Sequence, residues 1–334
     1  MKRNMREWLK NLPESKKAFP ILSFPCVSLL GCTVQELISD SDKQAEGMAL
    51  VAKRSDSAAS VSLMDLSVEA ECFGATVRFS DDEVPTVTGR RINDEEEANA
   101  LVVPPVGAAR SGLYVDAIRK AVPLIEDRPV FAGIIGPFSL AARLLDVQEI
   151  MIDCYDDPDM VHVVLEKATA FLIEYAKAYK EAGANGIVMA EPVAGLLSPA
   201  LEEEFSSPYV KQITDAVQDD EFLMIYHNCG DNTPRMVDSL LSIGAAGYHF
   251  GNSIDLKEML DKFPGDVPVM GNVDPARILR MGTPETVYNE TSDLVKKCGS
   301  YPNFVVSSGC DIPPMTPWEN LDAFFRAVKD AYEA

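Results

Sequence analysis

Short apolar runs rich in β-branched residues alternate along the chain with longer stretches whose apolar positions recur at helical spacing. The short runs lie at 19–24, 59–63, 130–135, 186–190, 222–226, 247–250, 267–271 and 304–307. Between them, helical patterns with capping residues ahead occupy 159–182, 206–217, 233–242, 284–297 and 317–334. This alternation is the sequence form of repeated βα units around a parallel sheet. Eight strands with intervening helices predict an α/β fold of the (β/α)8 TIM-barrel type. An open doubly wound sheet would usually carry a Gly-rich nucleotide turn early, and none is present. The stretch 74–127 breaks the pattern and is rich in Pro, Gly and acids, which predicts an insertion capping the barrel mouth. A chain of 334 residues fits one barrel, so 1–334 is read as a single domain.

Composition narrows the partners. A formal net charge of -22 repels nucleic-acid phosphates and anionic membrane surfaces, and no basic cluster offsets it. No apolar run reaches the length of a membrane span. Seven cysteines without regular spacing do not form a disulfide framework and are read as reduced cytoplasmic thiols. The basic start Met1-Lys2-Arg3, the apolar run from Ala18 and Leu29-Leu30-Gly31-Cys32 imitate a lipoprotein signal. Pro20, Pro25 and the charges through Lys17 fit that reading poorly, and the segment serves better as a first strand.

In such a barrel the C-terminal strand ends carry the chemistry. Glu191 follows the fourth strand, His227, Asn228 and Cys229 the fifth, and His249 ends the sixth. Asn272 and Asp274 follow the seventh, Cys310 and Asp311 the eighth. Two residues apart on an extended strand end, His227 and Cys229 face the same side, and Cys310 arrives from a strand further on. Two thiolates and an imidazole suit zinc, with a fourth position left for substrate. Two thiolates also cancel the charge of Zn²⁺, so the ion polarises water poorly but lowers the pKa of an incoming thiol while leaving its sulfur electron-rich. Alkyl transfer to sulfur is the matching reaction. A lone His-x-Cys also arises from buried cysteines and a satisfied core histidine.

These residues sit within a wider set of motifs: Gly136-Pro137-Phe138-Ser139-Leu140-Ala141, Gly183-Ala184-Asn185-Gly186-Ile187, Glu191-Pro192, Leu197-Ser198-Pro199, His227-Asn228-Cys229-Gly230, Gly271-Asn272-Val273-Asp274-Pro275 and Ser308-Gly309-Cys310. Together they resemble the corrinoid-dependent methyltransferases of the uroporphyrinogen decarboxylase superfamily, of the methylcobamide:coenzyme M methyltransferase type. The resemblance implies a uroporphyrinogen decarboxylase-like barrel, with Zn²⁺ on His227, Cys229 and Cys310. It also implies a methyl group delivered by a separate corrinoid protein, since no Asp-x-His-x-x-Gly cobalamin motif occurs here. The acceptor would be a small thiol, with tetrahydrofolate as a further candidate.

Two departures bear on the function. The decarboxylase branch carries an Arg-rich stretch near its N-terminus for tetrapyrrole carboxylates, whereas 19–33 here contains no Arg. Methyltransferases of the coenzyme M type tend to carry acids where this chain reads His249-Phe250-Gly251-Asn252, which argues against assuming coenzyme M itself. Porphyrinogen decarboxylation and a non-enzymatic zinc-stabilised scaffold for a corrinoid protein remain the alternatives.

Glu191 and His249 are the candidate catalytic groups, each able to act as a fourth ligand or a proton acceptor. Asp65, Asn272 and Asp274 are candidates for contacting the cofactor, while Asp65 and Glu69 read equally well as helix-start acids. Asn228 and Asp311 are placed to orient ligands or to cap helices. His162, inside an amphipathic helix, belongs to surface or core.

Overall fold

The computed structural model describes residues 3–333, so Met1 and Lys2 of the signal-like start, and Ala334, lie outside the described residues. In chain order the strands are β1 (Ser60–Val61), β2 (Thr76–Arg78), β3 (Thr86–Thr88), β4 (Val130–Ile135), β5 (Gly186–Ala190), β6 (Leu223–Asn228), β7 (Gly247–Phe250), β8 (Val269–Val273) and β9 (Phe304–Ser308). Seven of them form one curled sheet in the order β1-β4-β5-β6-β7-β8-β9, with every pairing parallel. β4 and β5 are buried at every position, as their unbroken apolar runs require of strands covered on both faces.

The predicted strand at 19–24 is the correction. No regular strand forms there, because Pro20 has no N–H to give to a ladder. The segment still bridges the gap between the sheet's two edges. Phe19 N–H donates to the Val306 carbonyl (2.9 Å), Ala58 N–H to the Ala18 carbonyl (2.8 Å), and Ile312 N–H to the Ile21 carbonyl (3.0 Å). Seven strands and one extended segment therefore close the TIM-barrel-like fold.

Phe19, Phe131, Val188, Ile225, Met270 and Val305 fill the barrel interior. The helix Met5–Asn11 stoppers its N-terminal end, with the Trp8 ring tilted against Phe131 at 5.5 Å and Phe131 edge-on to Phe19. The second, larger core lies between the sheet and its outer helices, among them Pro158–Glu181, Ser207–Val217, Pro284–Cys298 and Trp318–Glu333.

The expected insertion at 74–127 divides in two. Its first part, the β2–β3 hairpin, covers part of the mouth: Val84–Val87 wall a cavity of about 490 Å³ with Met64, Arg143, Pro192 and Leu196. Its second part, the helix Ser111–Ala121, packs against Ser41–Arg54 and belongs to the outer ring. Irregular turns before that helix hid it in the sequence pattern.

Candidate metal centre

Parallel register sets the site. β6 and β7 pair so that His227 faces His249, and β8 and β9 pair Asn272 with Ser307. The chain leaves β6 through a turn shaped by Asn228. Its Oδ1 accepts from the Gly230 N–H (2.9 Å) and its Nδ2 donates to the Tyr226 hydroxyl (3.1 Å). Cys229 rides on that turn. The end of β7 passes so close that a Cβ on Gly251 would lie 2.5 Å from the Cys229 Cα, so only glycine permits the approach.

Among the described residues, one cluster of His, Cys, Asp and Glu donors can hold a metal: His227, Cys229 and Cys310, whose ligand atoms all lie within 4.8 Å of one another. A single tetrahedral ion with zinc–ligand bonds of this kind needs donors about 3.5–3.8 Å apart, within reach of small side-chain rotations. One imidazole and two sulfurs are a donor set that fits zinc. His227 is buried, while both cysteines are half-buried and open toward the mouth. The Cys310 S–H, donating to the Cys229 sulfur, together with the nearby His227, pulls the Cys229 thiol down to about 4 despite its burial. The same contact, with burial, pushes Cys310 well up.

The other predicted site residues are brought near the mouth in different ways. Glu191 is fully buried and does not join the cluster. Its Oε1 accepts from the Phe138 N–H (2.8 Å), and its Oε2 from the Ser139 N–H (2.9 Å) and hydroxyl (2.6 Å). It thereby caps the helix Pro137–Leu145 from outside, where an anion suits the helix dipole. Burial nonetheless lifts its carboxyl to about 7. Gly136 makes room, since a Cβ there would fall 2.2 Å from the Glu191 side chain.

His249 is also outside the cluster, with both ring nitrogens engaged: Nδ1 lies 2.8 Å from His227 Nδ1 and Nε2 lies 2.7 Å from the Ser307 hydroxyl. Asn272 donates from Nδ2 to the Gly251 and Ile254 carbonyls, tying down the loop after β7. Asp274 accepts from the Ala276 and Arg277 N–H groups and caps the short helix Pro275–Arg280. Asp65 is buried and accepts from Arg110, from the Tyr114 hydroxyl (2.7 Å) and from Ser67. Asp311, beside Cys310, has its carboxyl raised well above the usual range by burial. His162 stacks on Phe205 and meets the Tyr209 hydroxyl at 2.7 Å, away from the cluster.

Three polar residues escaped the sequence reading. Arg110 lay inside the irregular stretch, Ser307 in the pair of serines ending β9, and Arg143 within the helix Pro137–Leu145. For Arg143, an arginine four residues past a Ser in a strand-end motif was the available signal. Its Nη1 donates to the Ser139 carbonyl (3.2 Å) and it lines the 490 Å³ cavity.

Glu69 faces the same region. Its Oε1 accepts from the Ile135 N–H (3.1 Å), its Oε2 is buried without a partner, and burial pushes its carboxyl up to about 7. A carboxyl with a folded-state pKa above its unfolded value keeps a proton that the unfolded chain has shed. Stability therefore falls as pH rises from about 4.5 to about 7, then levels off. Glu69→Gln retains the acceptor for Ile135. The variant is expected to be more stable than the parent at pH 8, by up to roughly 3 kcal/mol, and equal to it at pH 4. Urea melts at the two pH values check this, and equal stability at pH 8 would contradict it.

Known proteins place the chain in a family. Residues 26–331 match the family model described as Uroporphyrinogen decarboxylase (URO-D), and the chain belongs to that family. The methylcobamide:CoM methyltransferase MtbA of Methanosarcina acetivorans is 29% identical over 270 residues, 80% of this chain and 78% of that protein. A uroporphyrinogen decarboxylase from Coxiella burnetii is 26% identical over 283 residues, 81% of this chain and 77% of that protein. The solved structure of a methyltransferase from Methanosarcina mazei superposes with a TM-score of 0.87 at 23% identity, covering 98% of this chain and 99% of that one. The MtbA-type relatives support the reading of the chain as a methyltransferase, and decarboxylases of the family match over a similar share of it.

Proposed function

We propose that this protein is a zinc-dependent methyltransferase that moves a methyl group from a methylated corrinoid, carried on a separate protein, to a thiol. The convergence of His227, Cys229 and Cys310 within 4.8 Å at the barrel mouth is the observation that carries this reading. Zinc, when bound there, supplies the positive charge that makes an incoming thiol acidic while two protein sulfurs keep that thiol's sulfur nucleophilic. The protein's own residues do the positioning. His227, seated on β6 by its register with β7, fixes one corner of the site. The Asn228 turn holds Cys229, and Gly251 lets β7 support it closely. Met64, Val84, Val87, Pro192 and Leu196 give the mouth an apolar wall, and aligning acceptor with donor is the main task in a displacement at a methyl carbon.

Asp65 has every carboxylate oxygen engaged by Arg110, Tyr114 and Ser67, an arrangement that gives decarboxylation chemistry no support. The test is to load the protein with zinc, add methylcobalamin and follow the cobalt spectrum with a panel of thiols and with tetrahydrofolate. Demethylation that needs both zinc and one acceptor is expected. Porphyrinogen decarboxylation insensitive to chelators, with no demethylation by any acceptor, would overturn the reading.

A further inference from the structure

We infer that a buried chain of hydrogen bonds, from the Phe19 carbonyl through Ser307 and His249 to His227, fixes the protonation pattern of His227 and aims its bare Nε2 lone pair at the metal position, making His249 and Ser307 positioning residues for the ligand set. The deduction starts at the outer end. The Ser307 hydroxyl lies 2.6 Å from the Phe19 carbonyl oxygen, and since a carbonyl only accepts, the single hydroxyl proton points there. With that proton committed, the Ser307 oxygen can only accept from His249 Nε2, 2.7 Å away, so the proton of His249 sits on Nε2.

His227 Nδ1 lies 3.2 Å from the His249 carbonyl, and since a carbonyl only accepts, His227 Nδ1 carries a proton. Facing it at 2.8 Å is His249 Nδ1, and two N–H groups pointed at each other at that distance would clash, so His249 Nδ1 is the bare acceptor. The remaining nitrogen, His227 Nε2, is left as the ligand atom, 3.4 Å from Cys310 Sγ.

The chain's outer anchor is the Pro20-interrupted segment that closes the barrel. The backbone oxygen of Phe19 receives the serine proton while its N–H bonds β9, so closure of the barrel and orientation of the ligand share one residue. Metal-bound histidines generally donate their second N–H to a carboxylate, carbonyl or water. Here a second neutral imidazole takes that place, and its own tautomer is set one bond further out.

The relay rests in part on the zinc reading, so its test is built to separate the two. With only three histidines in the chain, ¹⁵N-histidine labelling gives three resolvable rings. In the metal-free protein, long-range ¹H–¹⁵N spectra are expected to show His249 protonated on Nε2 and bare on Nδ1. Ser307→Ala should shift His249 toward the other tautomer, and His249→Phe should lower zinc affinity, measured by chelator competition, about 10- to 100-fold. His249→Gln, which can still offer an oxygen to His227, should recover part of that loss. A wild-type His249 carrying its proton on Nδ1 would overturn the relay whether or not zinc binds. Unchanged zinc affinity in folded His249→Phe would also overturn it. Failure of the wild-type protein to bind zinc, with the tautomers as stated, would count against the zinc reading alone.

Discussion

Replacing Cys229 or Cys310 with alanine is expected to weaken zinc binding by at least about a thousandfold and to abolish demethylation of methylcobalamin. Four-ligand protein sites supply roughly 10–16 kcal/mol of binding free energy, so removing one thiolate should forfeit on the order of 4 kcal/mol. The loss should be larger here than average, because only three protein donors converge and none stands in reserve: Glu191 is committed to the helix Pro137–Leu145 and His249 to Ser307 and His227. The fold should survive, since both cysteines are half-buried at the mouth rather than packed in the core. Metal content of the purified variants, with circular dichroism as the control, checks both statements. Full zinc occupancy in either variant would show that the ion sits elsewhere.

The second large effect concerns stability. Among the described residues Arg110 is the one cation bonded to Asp65, whose side chain is 0% exposed, and it also reaches Glu71 Oε2 (2.7 Å) and the Ser67 hydroxyl (2.8 Å) beneath the Phe79 ring. Arg110→Ala leaves that carboxylate buried beside only neutral donors. Breaking a buried pair from one side costs about 3–5 kcal/mol, whereas replacing both partners with apolar groups is often nearly neutral. Arg110→Ala should therefore lower the melting temperature by roughly 5 °C, and Asp65→Leu/Arg110→Met should recover most of the loss. Additive losses in the double variant would mean that the two residues act independently and that the pair is not what holds this corner of the mouth.

Much of this architecture was legible before the fold was known. Seven of the eight apolar runs are strands of the sheet, because a strand covered on both faces has no freedom to be polar. The eighth run failed for a local reason, Pro20, while keeping its place in space through the bonds at Ala18, Phe19 and Ile21. The helix at 111–121 was hidden by the turns around Gly107 and Ala109, whose backbones adopt positive φ. At the site, two-residue spacing on a strand end was enough to bring His227 and Cys229 to one side, and barrel order was enough to bring Cys310 to them. What spacing could not reveal was the direction of each polar side chain. Glu191 and Asp274 turn toward helix N-termini, Asn272 turns toward backbone carbonyls, and the partners that decide this lie 2 to 53 positions away. Ser307 is one of two adjacent serines ending β9, nothing in that pair singles it out, and its role emerges only from the 2.6 and 2.7 Å contacts on either side of its oxygen.

The central claim is a three-ligand zinc site with a position kept for substrate, and zinc-edge X-ray absorption on the loaded protein tests it most directly. The account predicts two sulfur neighbours at about 2.3 Å and one imidazole nitrogen at about 2.0–2.1 Å, completed by a light atom, with a third sulfur replacing that atom when an acceptor thiol is added. A shell closed by four protein ligands that does not change with any thiol would contradict it.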